Sequence, residues 1–331
     1  MKKERAASAR SSGVIHTHMS SNSIAVTLTN TQARISSVST IPKIGVGLAY
    51  QGPLRSFIET SEGVLDFIEV VPDILWTDLG RDRSPRYVED QASVDFIRQV
   101  RSRMPVIPHG IGLSIGSAHR FNREHIGQLS AWQERFHFPW HSDHLSYNLA
   151  AQGAGEINVG VTLPLPHDQE VLDLLVPRIA EIRAAMPVPF ALENNVYYFD
   201  MPGQDMTEVE FLNRLCGLSG CYLLLDLHNL YVNARNLRVD PLAFLDALDL
   251  DNVIEIHLAG GMELDGFYLD AHSGCVPAAV WELLDRTLPQ CRNLGGVTFE
   301  LFGSWFSKVG DDRLTAELST IKNLWARHQP V

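Results

Sequence analysis

The sequence predicts a single (β/α)8 barrel, an α/β fold of the TIM-barrel type, on three observations. Eight short apolar runs read as strands, and each leads into a segment whose apolar residues recur at helical spacing. Together they fill one stretch of about 290 residues, within the usual span of such a barrel. His, Asp and Glu gather at the C-terminal ends of the runs or in the loops just after them, the end at which a barrel builds its active site.

In chain order, residues 1–40 are rich in Ser, Thr and Ala, start with basic residues and keep no period, so a disordered leader is expected before a barrel domain at 41–331. His16 and His18 fall in that leader and are given no role. Strands are expected at 44–48, 67–71, 106–109, 140–144, 190–193, 222–226, 253–257 and 297–301. Helices are expected at 54–59, 88–103, 120–136, 169–185, 207–218, 241–248, 277–288 and 313–327.

At 331 residues, 45% hydrophobic and 20% charged, the chain is long enough to bury a sizeable core. A formal charge of −12 argues against a broad nucleic-acid or anionic-membrane surface, which needs clustered Lys and Arg. No apolar stretch approaches the roughly 20 residues of a membrane span, and 1–40 lacks the apolar core of a secretory signal. A cytoplasmic location is expected. Cys216, Cys221, Cys275 and Cys291 form no CxxC pair and read as reduced, mostly buried thiols. Cys275, three residues after His272, is the one expected near the site.

The stretch VIEIHLAGGMELDGFYLDAHS, 253–273, sets the pattern. An apolar run ends in His257, and a glycine turn and loop deliver Asp270 and His272. Two imidazoles and a carboxylate at one strand end suit a divalent metal of intermediate hardness. His109 ends another run, before GIGLSIGS, whose glycines allow close backbone approach. A lone histidine there is more often structural, but its place at a strand end favours a ligand. In WHSDHLSY the period of two puts Ser142 and His144 on one face and His141 and Asp143 on the other. His144 is the expected ligand, Asp143 a supporting group and His141 structural.

Glu193 follows FAL and Glu300 follows VTF; an acid at the end of a buried strand is costly unless paired or metal-bound. LLLDLHN sets Asp226 and His228 two apart, on the same side of an extended chain. Glu69 has no histidine beside it in sequence and is expected to orient another ligand. His119, His125, His137, His167 and His328 fall on helices or loops and are left out. Nine candidate ligands remain, whereas one octahedral ion takes about six. Two or three ions are therefore implied, and clustered carboxylates need cations to relieve their repulsion. Iron, manganese and zinc all fit, for metal-assisted hydrolysis or, with iron, dioxygen activation.

The motifs HGIGLSIGS from His109, SDHLSY from Ser142, ENN from Glu193, LLLDLHNLYVNARN from Leu223, EIHLAGG from Glu255, DAHS from Asp270 and FELF from Phe299 resemble those of the DUF692 family, the multinuclear non-haem iron-dependent oxidative enzymes (MNIO). The resemblance spans 44–302. It implies a TIM barrel with two or three iron ions that uses dioxygen to modify a residue, usually cysteine, of a ribosomally made precursor peptide. A separate leader-binding partner protein is implied as well. The family's ligands fall on His109, His144, Glu193, Asp226, His257, Asp270, His272 and Glu300, with catalysis at Asp226, His257, Asp270 and His272. Where this chain has His228 the family often has Asn. Two other classes share the residue pattern. One is a divalent-metal hydrolase or isomerase of the endonuclease-IV or xylose-isomerase-like barrel type; the other is a peptide-binding protein with a structural metal.

Overall fold

The structure is a computed structural model that describes residues 40–61, 63–153 and 155–329; the leader expected at 1–40 lies outside them except for Thr40. The strands are β1 (Gly45–Ala49), β2 (Phe67–Val70), β3 (Trp76–Asp78), β4 (Tyr87–Glu89), β5 (Val106–Gly110), β6 (His141–His144), β7 (Ser146–Gln152), β8 (Gly155–Pro164), β9 (Phe190–Glu193), β10 (Tyr222–Asp226), β11 (Val253–Ala259), β12 (Met262–Leu264), β13 (Phe267–Leu269) and β14 (Gly296–Glu300). The helices are α1 (Arg55–Thr60), α2 (Gln91–Arg101), α3 (Arg123–Phe136), α4 (Gln169–Ala185), α5 (Glu208–Ser219), α6 (Leu227–Leu237), α7 (Pro241–Ala247), α8 (Ala278–Thr287) and α9 (Gly303–His328).

Eight strands close a parallel barrel in the order β1-β14-β11-β10-β9-β6-β5-β2, with helices between them. These are the eight runs expected from the sequence. The other six strands form three antiparallel ribbons, β3–β4, β7–β8 and β12–β13, all in loops at the C-terminal ends of barrel strands. The sequence pattern marks none of these ribbons, and the helix it predicts at 88–103 runs through β4 into α2.

Period-two alternation explains the interior. Phe67, Ile107, Trp140, Ala191 and Leu224 form an inner apolar cluster. Each lies two residues before Glu69, His109, Ser142, Glu193 or Asp226, and so shares an inward face with it. The N-terminal half of the barrel is thus an apolar floor and the C-terminal half is polar. Gly47 makes room for the floor: a Cβ there would lie 2.2 Å from the Phe67 ring. The outer helices bury their apolar stripes against the barrel; on α4, for example, Leu172, Leu175, Ile179 and Ile182 are all fully buried.

Two helices differ from expectation. The expected helix at 313–327 begins ten residues earlier, as α9, with a kink at Gly310 (φ 74°). More important for the site, α6 starts immediately after β10. Asp226 therefore does not continue an extended chain toward His228 but caps a helix, its side chain accepting from the Asn229 amide at 2.8 Å.

Trp132 on α3 is fully buried against Trp76 and Phe136 and donates to Glu89 of β4 at 2.6 Å. Trp132→Ala should lower stability by about 3–5 kcal/mol, read as a shift of the urea midpoint at unchanged slope.

Candidate metal centre

The barrel brings all nine candidate ligands into one continuous cluster at its C-terminal mouth. Register does much of this, since His144 lies beside Glu193, Asp226 beside His257, and Glu300 beside Ala259. His109 Nε2 and His144 Nε2 lie 3.2 and 3.4 Å from Glu193 Oε2. Ligand atoms of Glu193, Asp226, His257 and Glu300 fall within 4.8 Å of one another, as do those of His109, His144 and Glu193. His257 Nδ1 is 3.2 Å, and His272 Nε2 3.6 Å, from Glu300 Oε2. Asp270 Oδ1 completes the chain at 3.0 Å from both His272 Nε2 and His228 Nδ1.

His228 reaches Asp270 from the first turn of α6, not from an extended chain, so the geometric reason expected from the sequence is replaced by a helical one. His272 takes a left-handed backbone (φ 43°), a conformation that costs a non-glycine residue about 1 kcal/mol or more. The amide of Phe302 donates to its carbonyl at 3.0 Å, and the Ser273 amide donates to Gly260 O at 2.7 Å.

Behind the cluster, hydrogen bonds turn the His109, His144 and His257 rings so that one nitrogen of each faces it. Gly110 O, which can only accept, lies 2.9 Å from His144 Nδ1; that nitrogen carries the proton, and Nε2 faces Glu193. His109 Nδ1 pairs with Ser142 Oγ at 3.0 Å. His257 Nε2 meets Glu69 Oε2 at 2.9 Å, which leaves Nδ1 toward Glu300. Glu69, expected to orient another ligand, meets a histidine supplied from across the barrel.

The sequence reading missed Glu255, two residues before His257 on the same face. Its signal was an acid inside the apolar run VIEIH. Glu255 accepts from Trp140 Nε1 at 2.8 Å and Thr298 Oγ1 at 3.2 Å, and with Glu69 and His257 it forms a third set of metal-type donors. Asn194 and Asn229 were missed too. Asn194 Nδ2 donates to Asp226 O at 3.0 Å, while Asn194 Oδ1 accepts from the Asp226 amide at 2.8 Å. Asn229 Nδ2 donates to Asn194 O at 3.0 Å.

Of the other histidines, His141 faces away and pairs with Gln133 Oε1 at 2.8 Å. Asp143 is buried on that same outward side, where burial, then the charge of Asp73, pushes its carboxyl well up. His125 pairs with Asp73 at 2.7 Å, outside the cluster. Cys275 is half-buried and accepts from Arg313 Nε at 2.7 Å.

The donor set fits divalent metal ions. Buried Glu193 Oε2, Asp226 Oδ2 and His257 Nδ1 have no hydrogen-bond partner, and their residues belong to one set of donors within 4.8 Å of one another. Charge tells the same story. Burial, then the charges of Glu193, Glu300 and Asp270, push the Asp226 carboxyl well above the usual range. Against the pull of burial, Glu69 and Glu300 raise His257 well above its usual value, and Asp270 and Glu300 raise His272 to about 10. Burial lowers His109, which leaves it a neutral imidazole, the ligating form. In the protein alone the pocket holds protons where a cation would relieve its negative charge.

The fold and the cluster define a class: a (β/α)8 barrel with a multidentate nitrogen and oxygen site at its mouth. The IolI protein with a binding zinc atom shares the barrel at 14% identity and a TM-score of 0.53, over 86% of this chain and 99% of that one. At that identity the likeness speaks for the fold alone. The family model described as RiPP precursor modification enzyme MbnB/TglH/ChrH matches residues 44–324, and the chain belongs to that family. UPF0276 proteins of Caulobacter vibrioides and Acaryochloris marina are 34% and 31% identical to it, each over 86% of this chain and 95% and 96% of their own. Membership carries an enzyme class that modifies a precursor peptide and suggests dependence on a metal. No helix among the described residues is long and apolar enough to cross a membrane.

Two outcomes test the centre. Asp226, His257 and His272 must release protons before they can ligate, so metal uptake should expel protons and weaken as pH falls. Chelator competition across a pH series checks the direction. Glu69→Ala should lower metal affinity about 10–100-fold, and Glu69→Gln, which still accepts from His257, should lower it less; equal losses would deny Glu69 its orienting role.

Proposed function

We propose that this chain is a multinuclear non-haem iron enzyme that uses dioxygen to modify a cysteine of a ribosomally made precursor peptide. The observation that carries the reading is the convergence of more nitrogen and oxygen donors than one ion can use, in a chain of the peptide-modifying family. His109, His144 and Glu193 would hold one iron. Glu193, Asp226, His257 and Glu300 would hold a second, with Glu193 shared. Asp270, His272 and His228 would serve a third. When bound, iron(II) supplies a position for the substrate thiolate and electrons for dioxygen.

The chain's own part is to orient and to dry the site. Ser142, Gly110 O and Glu69 orient the His109, His144 and His257 rings. Capping by the Asn229 amide occupies Asp226 Oδ1 and leaves Oδ2 for the cluster. Phe302 lies 4.6 Å from the His272 ring and Tyr198 6.4 Å from Phe267, so exposed aromatic groups flank the entrance and exclude water from a seated peptide. A leader-binding partner protein would present the peptide.

Metal analysis of anaerobically purified protein, with Mössbauer spectra of an iron-57 sample, should give two or three irons per chain. A cysteine-bearing precursor should change mass only with dioxygen present. Turnover that persists without dioxygen in zinc- or manganese-loaded protein would assign the chain to metal-dependent hydrolysis or isomerisation instead. His257→Ala and Asp226→Ala should each abolish modification and lower iron content; full activity in either would remove that residue from the site.

A further inference from the structure

The nine donors differ in what carries them. His109, His144, Glu193, Asp226, His257 and Glu300 lie on barrel strands, where the parallel ladder fixes their positions, and His228 lies in the first turn of α6. Asp270 and His272 come instead from the excursion of residues 260–277 between β11 and α8, which also contains the β12–β13 ribbon. Two of the three donors assigned to the third ion therefore depend on how that loop is held. Their pivot is Asp270, whose Oδ1 lies 3.0 Å from both partner imidazoles.

The loop is tied on either side of Asp270. In the ribbon, Asn236 of α6 donates to Tyr268 O at 2.8 Å and accepts from the Tyr268 amide at 2.9 Å. Further on, the Ser273 amide donates to Gly260 O at 2.7 Å. Between these ties the Asp270 amide donates to Tyr198 Oη at 3.1 Å, a bond supplied by a different loop, the one after β9. That loop is itself anchored just before Tyr198. Asn233 Nδ2 donates to Asn195 O at 2.9 Å, the Tyr197 amide donates to Asn233 Oδ1 at 2.7 Å, and Tyr197 Oη pairs with His167 Nε2 at 2.7 Å. The Tyr198 ring stands edge-on to Phe267, 6.4 Å between centroids at 79°. Ring and hydroxyl thus both bear on the loop that carries Asp270 and His272.

We propose that Tyr198 is a positioning residue of the metal centre: by holding the Asp270 amide, its hydroxyl sets the Asp270 carboxylate between His228 and His272 and so determines how tightly that donor set binds an ion. The inference rests on the reading that these three residues serve a third ion. A peptide unit is planar, so fixing its N–H fixes the direction in which the next side chain leaves the backbone. Outer groups that orient a ligand contribute about 10–100-fold to metal affinity. Here the effect is confined to one ion, because the donors of the other two sets are held by strands.

The test titrates iron(II) anaerobically into the metal-free full chain against a chelator; the ion that Asp270→Ala loses marks the third set. Tyr198→Phe keeps the ring against Phe267 and removes only the acceptor. It should weaken that ion about tenfold or more, speed deuterium exchange at the Asp270 amide, and leave the other ions and the urea midpoint as in the wild type. Phe199→Ala removes the neighbouring exposed ring, which cannot hydrogen-bond Asp270, and should change none of these. An unchanged third affinity in Tyr198→Phe, or equal weakening of every ion, overturns the proposal. Full iron retained by Asp270→Ala overturns it too, since no ion then uses this set, yet leaves a two-iron centre standing. A wild type that takes up no iron removes the multinuclear reading along with it.

Discussion

Glu193, Asp226, Asp270 and Glu300 are crowded into one buried pocket, with Glu69 and Glu255 beneath them. Carboxylates this close cannot all be ionised in a low-dielectric interior without compensating positive charge. Much of the local structure answers that constraint. Imidazoles are interleaved between the acids, and capping and amide hydrogen bonds hold carboxylate oxygens in place. Burial and the neighbouring acids favour a proton on Asp226. The crowding is unfavourable for the protein alone and would be relieved by cations, which would link folding energetics to metal affinity.

The barrel makes the crowding possible. Its strands deliver polar side chains at similar heights from positions far apart in sequence, and the rigid ladder keeps them from moving apart. Strain at His272 and the reciprocal Asn194–Asp226 hydrogen bonds are local consequences. Both hold a strand end or loop where unconstrained backbone would relax the repulsion.

Most of this was legible in the sequence. Strand ends such as FALE and VTFE are visible because an acid terminates an apolar run, and the fold rule converts that position into proximity. The helical path to His228 was not legible, because Asp226 reads equally well as a strand end or an N-cap. Glu255 was hidden inside its strand, where a charged residue violates the local pattern and makes sense only beside Trp140, Thr298 and Glu69 from three other strands. The ribbons escaped notice because their strands are short or exposed on both faces and lack the alternation that marks a half-buried strand.

The apolar floor has a consequence of its own. Phe67, Ile107, Trp140, Ala191 and Leu224 close the barrel from below, so the polar half is approached from the mouth. Whatever is consumed, and whatever leaves, must share it. Under the proposed chemistry a small uncharged gas, a metal ion and a peptide would share that passage, and a chain seated there would be both cargo and stopper. The order of arrival would then follow from the architecture, before any chemistry begins.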